Sequence, residues 1–201
     1  TGRISLFSIK FGQFRNDWTG LPLIQRHKNT NARKDSPMSI TTLNDLYIDQ
    51  LQDLYSANRQ SLKVTQKLAD KASNAKLKDA LQRGVKGIED GIDAVEGLIR
   101  KHEADPRGEF CQGMEGLVKE AKAHAIEADI DDKDVLDASI ISQYQRMTHY
   151  ALAGYGTVVA FARRLRLSDD VRTLQACLDS TYSGDREMSQ LAEGEVNREA
   201  A

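Results

Sequence analysis

From Met38 onward, apolar residues recur at steps of three and four, the period of an amphipathic α-helix. The first run is Tyr47, Leu51, Leu54, Asn58, Leu62, Thr65, Leu68 and Ala72. Thr42 with Asp45 three residues later reads as a capping box in which Asp replaces Glu. Ser73 and Asn74 interrupt the run, and Leu77, Leu81, Val85, Ile88, Ile92, Val95 and Ile99 resume it. A break this short makes the two helices antiparallel neighbours. His102 to Gly108, with Asp105-Pro106, reads as a loop, and Met114, Leu117, Val118 and Ala121 mark one side of a short helix. Asp131-Asp132 then caps a long helix with the stripe Val135, Ile140, Tyr144, Met147, Ala151, Tyr155, Val158, Ala162 and Leu165. Ser168, followed by Asp169 and Asp170, is expected to start the last helix, because a cap and early acids suit its positive end. The last stripe is Val171, Leu174, Leu178, Thr181, Asp185, Met188 and Leu191.

These patterns predict an all-α fold of four long helices paired as two hairpins. The segment between Ile99 and Val135 is long enough to return along the bundle. One long crossover, here carrying a short extra helix, is the connectivity of ferritin-like four-helix bundles. The three prolines agree: Pro22 and Pro37 precede the first helix, and Pro106 falls in the crossover. Residues 1–37 show no sustained period and are read as an extension, disordered or not native, ahead of a bundle domain at 38–201.

Charge sharpens that division. The formal charge is −2, but residues 1–37 hold a local +5, which leaves the helical part at −7. An acidic bundle does not attract nucleic acid through counterion release. No apolar run reaches the length of a membrane span. Cys111 and Cys177 lack metal-site spacing and form no disulfide framework, so the expected compartment is the reducing cytoplasm.

Candidate chemistry lies on the inward stripes. A ferritin-like bundle that holds two metal ions needs inward carboxylates and a Glu-x-x-His pair. At mid-helix the stripes instead present Asn58, then Gly84 and Gly87, then Thr148 and Ala151, then Thr181 and Asp185. A hydrogen-bonded polar cluster of Asn58, Thr181 and Asp185 is expected there. Gly84, Gly87 and Gly91 share one helix face and leave room for a bulky neighbour, with Tyr150, Tyr155 and Tyr182 as candidates to fill it. His102 and His124 are expected to face solvent.

Three strings carry a family resemblance: Leu54-Tyr55-Ser56-Ala57, then Met114-Glu115-Gly116-Leu117 with Glu120-Ala121, and His149-Tyr150-Ala151-Leu152-Ala153-Gly154-Tyr155-Gly156-Thr157. Over about residues 38–196 the chain resembles the YciE/YciF family of ferritin-like bacterial stress proteins. The resemblance implies a dimeric, cytoplasmic four-helix bundle connected with stress response, with a proposed di-metal site and a poorly defined activity. It also locates departures. The family's first-helix Glu is Asn58 here, and its His-x-x-Glu is Gly84 and Gly87. Its two third-helix glutamates are Thr148 and Ala151, and its Glu-Glu pair is Ser180 and Thr181.

The expected function is therefore a non-catalytic bundle protein with a structural, binding or stress-associated role and no cofactor. It is expected to be a homodimer that binds neither nucleic acid nor membrane. The alternative is an iron- or manganese-binding protein, or an oxidoreductase, with a site re-formed from Asp185, His149 and Glu89. A third class is a small-molecule binder that uses a cavity left by the missing ligands.

Overall fold

The structure is a computed structural model that describes residues 40–201. The extension read at residues 1–37 lies outside the described residues. The long helices are α1 (Leu43–Lys71), α2 (Ala75–Lys101), α4 (Lys133–Arg164) and α5 (Ser168–Leu191). The crossover between α2 and α4 carries α3 (Gln112–Ala121), which runs into a π-helical turn at Lys122–Ile126. A second π-helical turn at Ala192–Val196 leads to a short α6 (Asn197–Glu199). Among the described residues no helix is long and apolar enough to cross a membrane.

Local chemistry starts most of these helices. Thr42 and Asp45 form the predicted capping box, with Asp45 N–H donating to Thr42 Oγ1 at 3.1 Å and Thr42 N–H to Asp45 Oδ2 at 2.9 Å. Asn74 caps α2 by accepting from the amides of Lys76 and Leu77. Asp132 caps α4 by accepting from the amides of Asp134 and Val135. Helix α5 starts at Ser168 as expected, but Ser168 is its first helical residue and not its cap: Leu167 holds the cap position without a side-chain bond. The turn before it is so tight that Arg166 takes a left-handed φ of 61°, which places Ser168 already inside the helix.

Each helix packs against two neighbours: α1 against α2 and α4, and α5 against α2 and α4. The buried side chains set the directions. Tyr47 near the start of α1, Ile99 near the end of α2, Ala162 near the end of α4 and Leu174 near the start of α5 share one apolar cluster. Leu68, Leu77, Ile140 and Met188, from the other ends of the same helices, share a second. Adjacent helices are therefore antiparallel, and the crossover returns along the bundle to join α2 to the parallel α4. This is the predicted ferritin-like connectivity.

The crossover lies over α1 and α4. A row of polar residues on α1 at steps of four holds its backbone. Gln52 Nε2 donates to the Asp105 carbonyl at 2.6 Å, Ser56 Oγ accepts from Cys111 N–H at 3.0 Å, and Gln60 Nε2 donates to the Cys111 carbonyl at 2.9 Å. Val135, assigned to the α4 stripe from its spacing, is instead 41% exposed. The inward residue of that first turn and a half is Asp137, which is buried. Its carboxylate accepts from Ser73 N–H at 2.9 Å, Ser73 Oγ at 2.7 Å and Asn74 N–H at 2.7 Å, so it closes the α1–α2 turn.

The opposite end is closed by a second buried aspartate. Asp170 accepts from the Tyr47 hydroxyl at 3.0 Å and from Lys101 Nζ at 2.6 Å, and lies 2.6 Å from His102 Nε2. His102 does not face solvent as expected: its side chain is 16% exposed, and its ring meets Tyr47 edge-on at 5.6 Å between centroids. The reason is its position at the C-terminal end of α2, where an inward turn reaches a carboxylate that sequence spacing alone does not bring near. His124 is exposed and pairs with Glu120 on its own turn. Burial pushes the Asp170 carboxyl up, but the hydrogen bonds from His102, Lys101 and Tyr47 outweigh it and hold its pKa below the ordinary 3.8.

A depressed carboxylate contributes stability that is fully present above its unfolded pKa and lost as pH falls through the folded value. Asp170→Asn should therefore flatten the loss of stability below about pH 4, relative to the parent chain. Asp170→Ala, which strands the buried Tyr47 hydroxyl, should cost about 3 kcal/mol at pH 7. Denaturant unfolding across that pH range measures both, and parallel pH profiles for the parent and Asp170→Asn would refute the linkage.

Candidate functional site: a neutral cavity at mid-bundle

Between the two apolar clusters the bundle core becomes polar and incompletely filled. A cavity of about 240 Å³ lies there among all four long helices. From α1 it is lined by Asn58, Ser61 and Thr65, and from α4 by Tyr144, Met147, Thr148, Ala151 and Tyr155. Its opening lies between α2 and α5, where Gly87, Ser180 and Ser183 are exposed. An exposed Arg83–Glu187 ion pair borders it.

The polar groups of this wall are neutral. Asn58 Nδ2 donates to the Tyr155 hydroxyl at 2.9 Å, which joins α1 to α4. Thr148 Oγ1 and Thr181 Oγ1 each bond a carbonyl one turn back on their own helix, Tyr144 at 2.9 Å and Cys177 at 2.8 Å. Burial pushes the phenols of Tyr155 and Tyr144 above their ordinary range, and the Cys177 thiol likewise. All three are therefore protonated and uncharged at pH 7. Thr65 is fully buried, and its Oγ1 has no hydrogen-bond partner among the described residues.

Two of the three glycines on the α2 face are explained by close packing. A Cβ on Gly84 would stand 2.5 Å from the Tyr144 hydroxyl, and one on Gly91 would overlap the Tyr155 hydroxyl. Of the tyrosines proposed from sequence, Tyr155 fills this space. Tyr150 lies elsewhere, against Gly113, with its hydroxyl 2.9 Å from Cys111 Sγ and 3.2 Å from Asp53 Oδ2. Tyr182 is 48% exposed. Tyr144, on the α4 stripe but not among those candidates, takes the place beside Gly84. Gly87 is different, since a Cβ there would meet only Ser180 Oγ, at an ordinary 3.9 Å.

The seven positions singled out from the sequence, Asn58, Gly84, Gly87, Thr148, Ala151, Ser180 and Thr181, all line this cavity. The expected cluster of Asn58, Thr181 and Asp185 does not form. Asp185 lies one residue round α5 from Gly184 and turns to the outer α4–α5 face, where Oδ1 is 3.0 Å from His149 Nε2 and 3.4 Å from Gln145 Nε2. His149 is 64% exposed there. Neither residue lines the cavity, and neither does Glu89 on α2. Of the three residues considered for a re-formed site, Asp185 and His149 meet on this outer face, outside the cavity, and no hydrogen bond or ion pair among the described residues joins Glu89 to them. Among the described residues no group of three or more His, Cys, Asp or Glu is placed to hold a metal ion.

Residues 42–201 match the family described as a domain of unknown function, DUF892. The Escherichia coli (strain K12) protein YciF is 30% identical over 164 residues, which cover 81% of this chain and 98% of YciF. The chain belongs to the YciF family. The crystal structure of the E. coli stress protein YciF superposes with a TM-score of 0.73 at 29% identity, covering 79% of this chain and 99% of that one. The Rhodopseudomonas palustris protein YcfI superposes with a TM-score of 0.71 at 32% identity, covering 77% and 97%.

The resemblance of this YciF-family chain to ferritin-like proteins raises the question of a dinuclear metal centre. The residues present do not fit one. Hard divalent ions require anionic oxygen or imidazole donors, and two of them require several negative charges. The seven positions offer one amide, three hydroxyls, two glycines and an alanine. Glu187, the one carboxylate among the lining residues, is held at the opening by Arg83. The sequence reading missed Tyr144, Ser61 and the orphaned Thr65 as cavity residues. Thr65 was visible as a polar residue on an apolar stripe, but nothing along the chain shows that no partner stands opposite it.

Close packing around Gly91 makes a testable contrast with Gly87. Gly91→Ala should destabilise by about 1–3 kcal/mol through overpacking against Tyr155. Gly87→Ala should stabilise by up to about 1 kcal/mol through helix propensity. Chemical denaturation compares them, and equal effects at the two positions would contradict the packing described.

Proposed function

We propose that this YciF-family chain is a non-catalytic, metal-free bundle protein with a structural or binding role associated with stress. The neutral donor set of the central cavity carries the reading. Moving two divalent cations out of water into a wall of hydroxyls, amides and phenols costs far more than neutral oxygens return. The relatives point the same way: YciF is named a stress protein, and YcfI has been put forward as a structural protein. The reading includes a homodimer and a cytoplasmic location. The location is supported by two free cysteines, Cys111 and Cys177, which suit a reducing compartment. A bundle of long helices offers a further lateral face to a second copy, and closed two-fold dimers are the commonest oligomers, which supports the dimer.

Elemental analysis tests the central claim. Protein expressed in medium enriched in iron and manganese, then desalted, should retain less than a tenth of an equivalent of either metal. Stoichiometric iron or manganese that survives desalting and is lost in Asn58→Ala would overturn the reading. Light scattering on the same sample should give twice the chain mass of 22.4 kDa.

A further inference from the structure

The central cavity has three properties that a packing defect does not combine. It opens to solvent through a defined aperture between α2 and α5, where Gly87, Ser180 and Ser183 are exposed. Gly84 and Gly91 give their side-chain space to tyrosines, whereas the space at Gly87 is given to nothing but the aperture. An alanine would be the better helix former there and would fit. At the inner side, Thr65 presents a fully buried hydroxyl without a partner among the described residues. Buried polar groups are normally satisfied, so an orphan hydroxyl on a cavity-lining residue marks a place for a partner from outside the chain, a water or a bound hydroxyl.

We propose that this cavity is a binding site for a small, uncharged, polyhydroxylated molecule. The inference rests on the metal-free reading above and names what the vacated centre takes instead. Charge is decided by the wall: the interior offers no counter-ion, and the one ion pair in the lining, Arg83–Glu187, is already self-neutralised at the opening. An anion or cation inside would be desolvated without compensation. Hydroxyl chemistry is decided by the donors. Thr65 supplies one free hydroxyl, Asn58 keeps an amide oxygen after giving Nδ2 to Tyr155, and Ser180 and Ser183 add hydroxyls at the entrance. Hydroxyl groups can both donate and accept, so a polyol meets this mixture with either sense of bond. Ile88, Met147 and Ala151 provide apolar surface for its carbon backbone. Size is decided by the volume of about 240 Å³, just below the range of drug-sized sites at about 300 Å³.

The test is an NMR titration of full-length protein whose iron and manganese content has first been measured. Metal in the core would overturn the earlier reading, whereas metal-free protein that binds no probe would overturn this one alone. The probes are glycerol, erythritol and ribitol, with glycerate as the charged counterpart. The expected result is saturable shifts of Thr65, Met147 and Ala151 signals with at least one uncharged probe, and at least tenfold weaker binding of glycerate. Thr65→Val, which keeps the shape and removes the orphan hydroxyl, should weaken that probe about tenfold while the free protein melts no lower than the parent. Gly87→Met, which blocks the aperture, should abolish the shifts. Gly97→Met, on the same helix where a Cβ meets nothing within 4 Å, should leave them unchanged. No saturable shifts in metal-free protein, equal binding of glycerate, or unaltered binding in Thr65→Val would overturn the proposal. Thr65→Val keeps the test decisive should Gly87→Met fail to fold.

Discussion

The middle of this bundle depends on one hydrogen bond. Asn58 of α1 reaches Tyr155 of α4 across the core, and the side chain that Gly91 of α2 lacks is what allows the tyrosine hydroxyl to stand there. Above and below it the core is aliphatic and aromatic, in two separate clusters. A buried amide and phenol that satisfy each other cost little, whereas either alone would be an expensive orphan. The pair therefore sets the height at which α1 and α4 meet. It also spaces the helices so that the adjoining volume stays open. The cavity is a consequence of tyrosines packed against glycines on one side and short polar residues on the other.

Both ends of the bundle use a different device, a buried aspartate whose neighbours are donors. Asp137 gathers the amides and hydroxyl of the α1–α2 turn, and Asp170 gathers Tyr47, Lys101 and His102 at the far end. The charges that this fold buries are thus spent on closing its turns. The middle, where ferritin-like bundles use carboxylates for metal, has none on its inner wall. That distribution divides the bundle: hydrogen-bonded buried carboxylates lock the ends, and neutral groups line the centre.

Much of the architecture was legible along the chain. The stripes from Tyr47 to Leu68 and from Leu77 to Ile99, with the Ser73-Asn74 break, specify a hairpin because period and turn chemistry are local properties. The same holds for the Thr42–Asp45 box and the Asp132 cap. Local rules failed where a residue had a distant partner. Val135 has the right spacing, yet Asp137 is the residue drawn inward by the α1–α2 turn. Gln52, Ser56 and Gln60 lie off the α1 apolar stripe, and they hold the crossover.

By itself, the sequence determined that this protein is a helical bundle and assigned most of the inward positions, among them the seven of the cavity wall, which carry no carboxylate or imidazole. Periodicity suffices for that, because it assigns each residue to a face of its own helix. Only the tertiary structure decided which inward residues meet. It set Tyr155 against Asn58 and Tyr144 against Gly84, turned Asp185 outward to His149, and left Thr65 without a partner among the described residues. Those outcomes depend on the relative height and rotation of helices far apart in the chain, quantities that no single helix encodes.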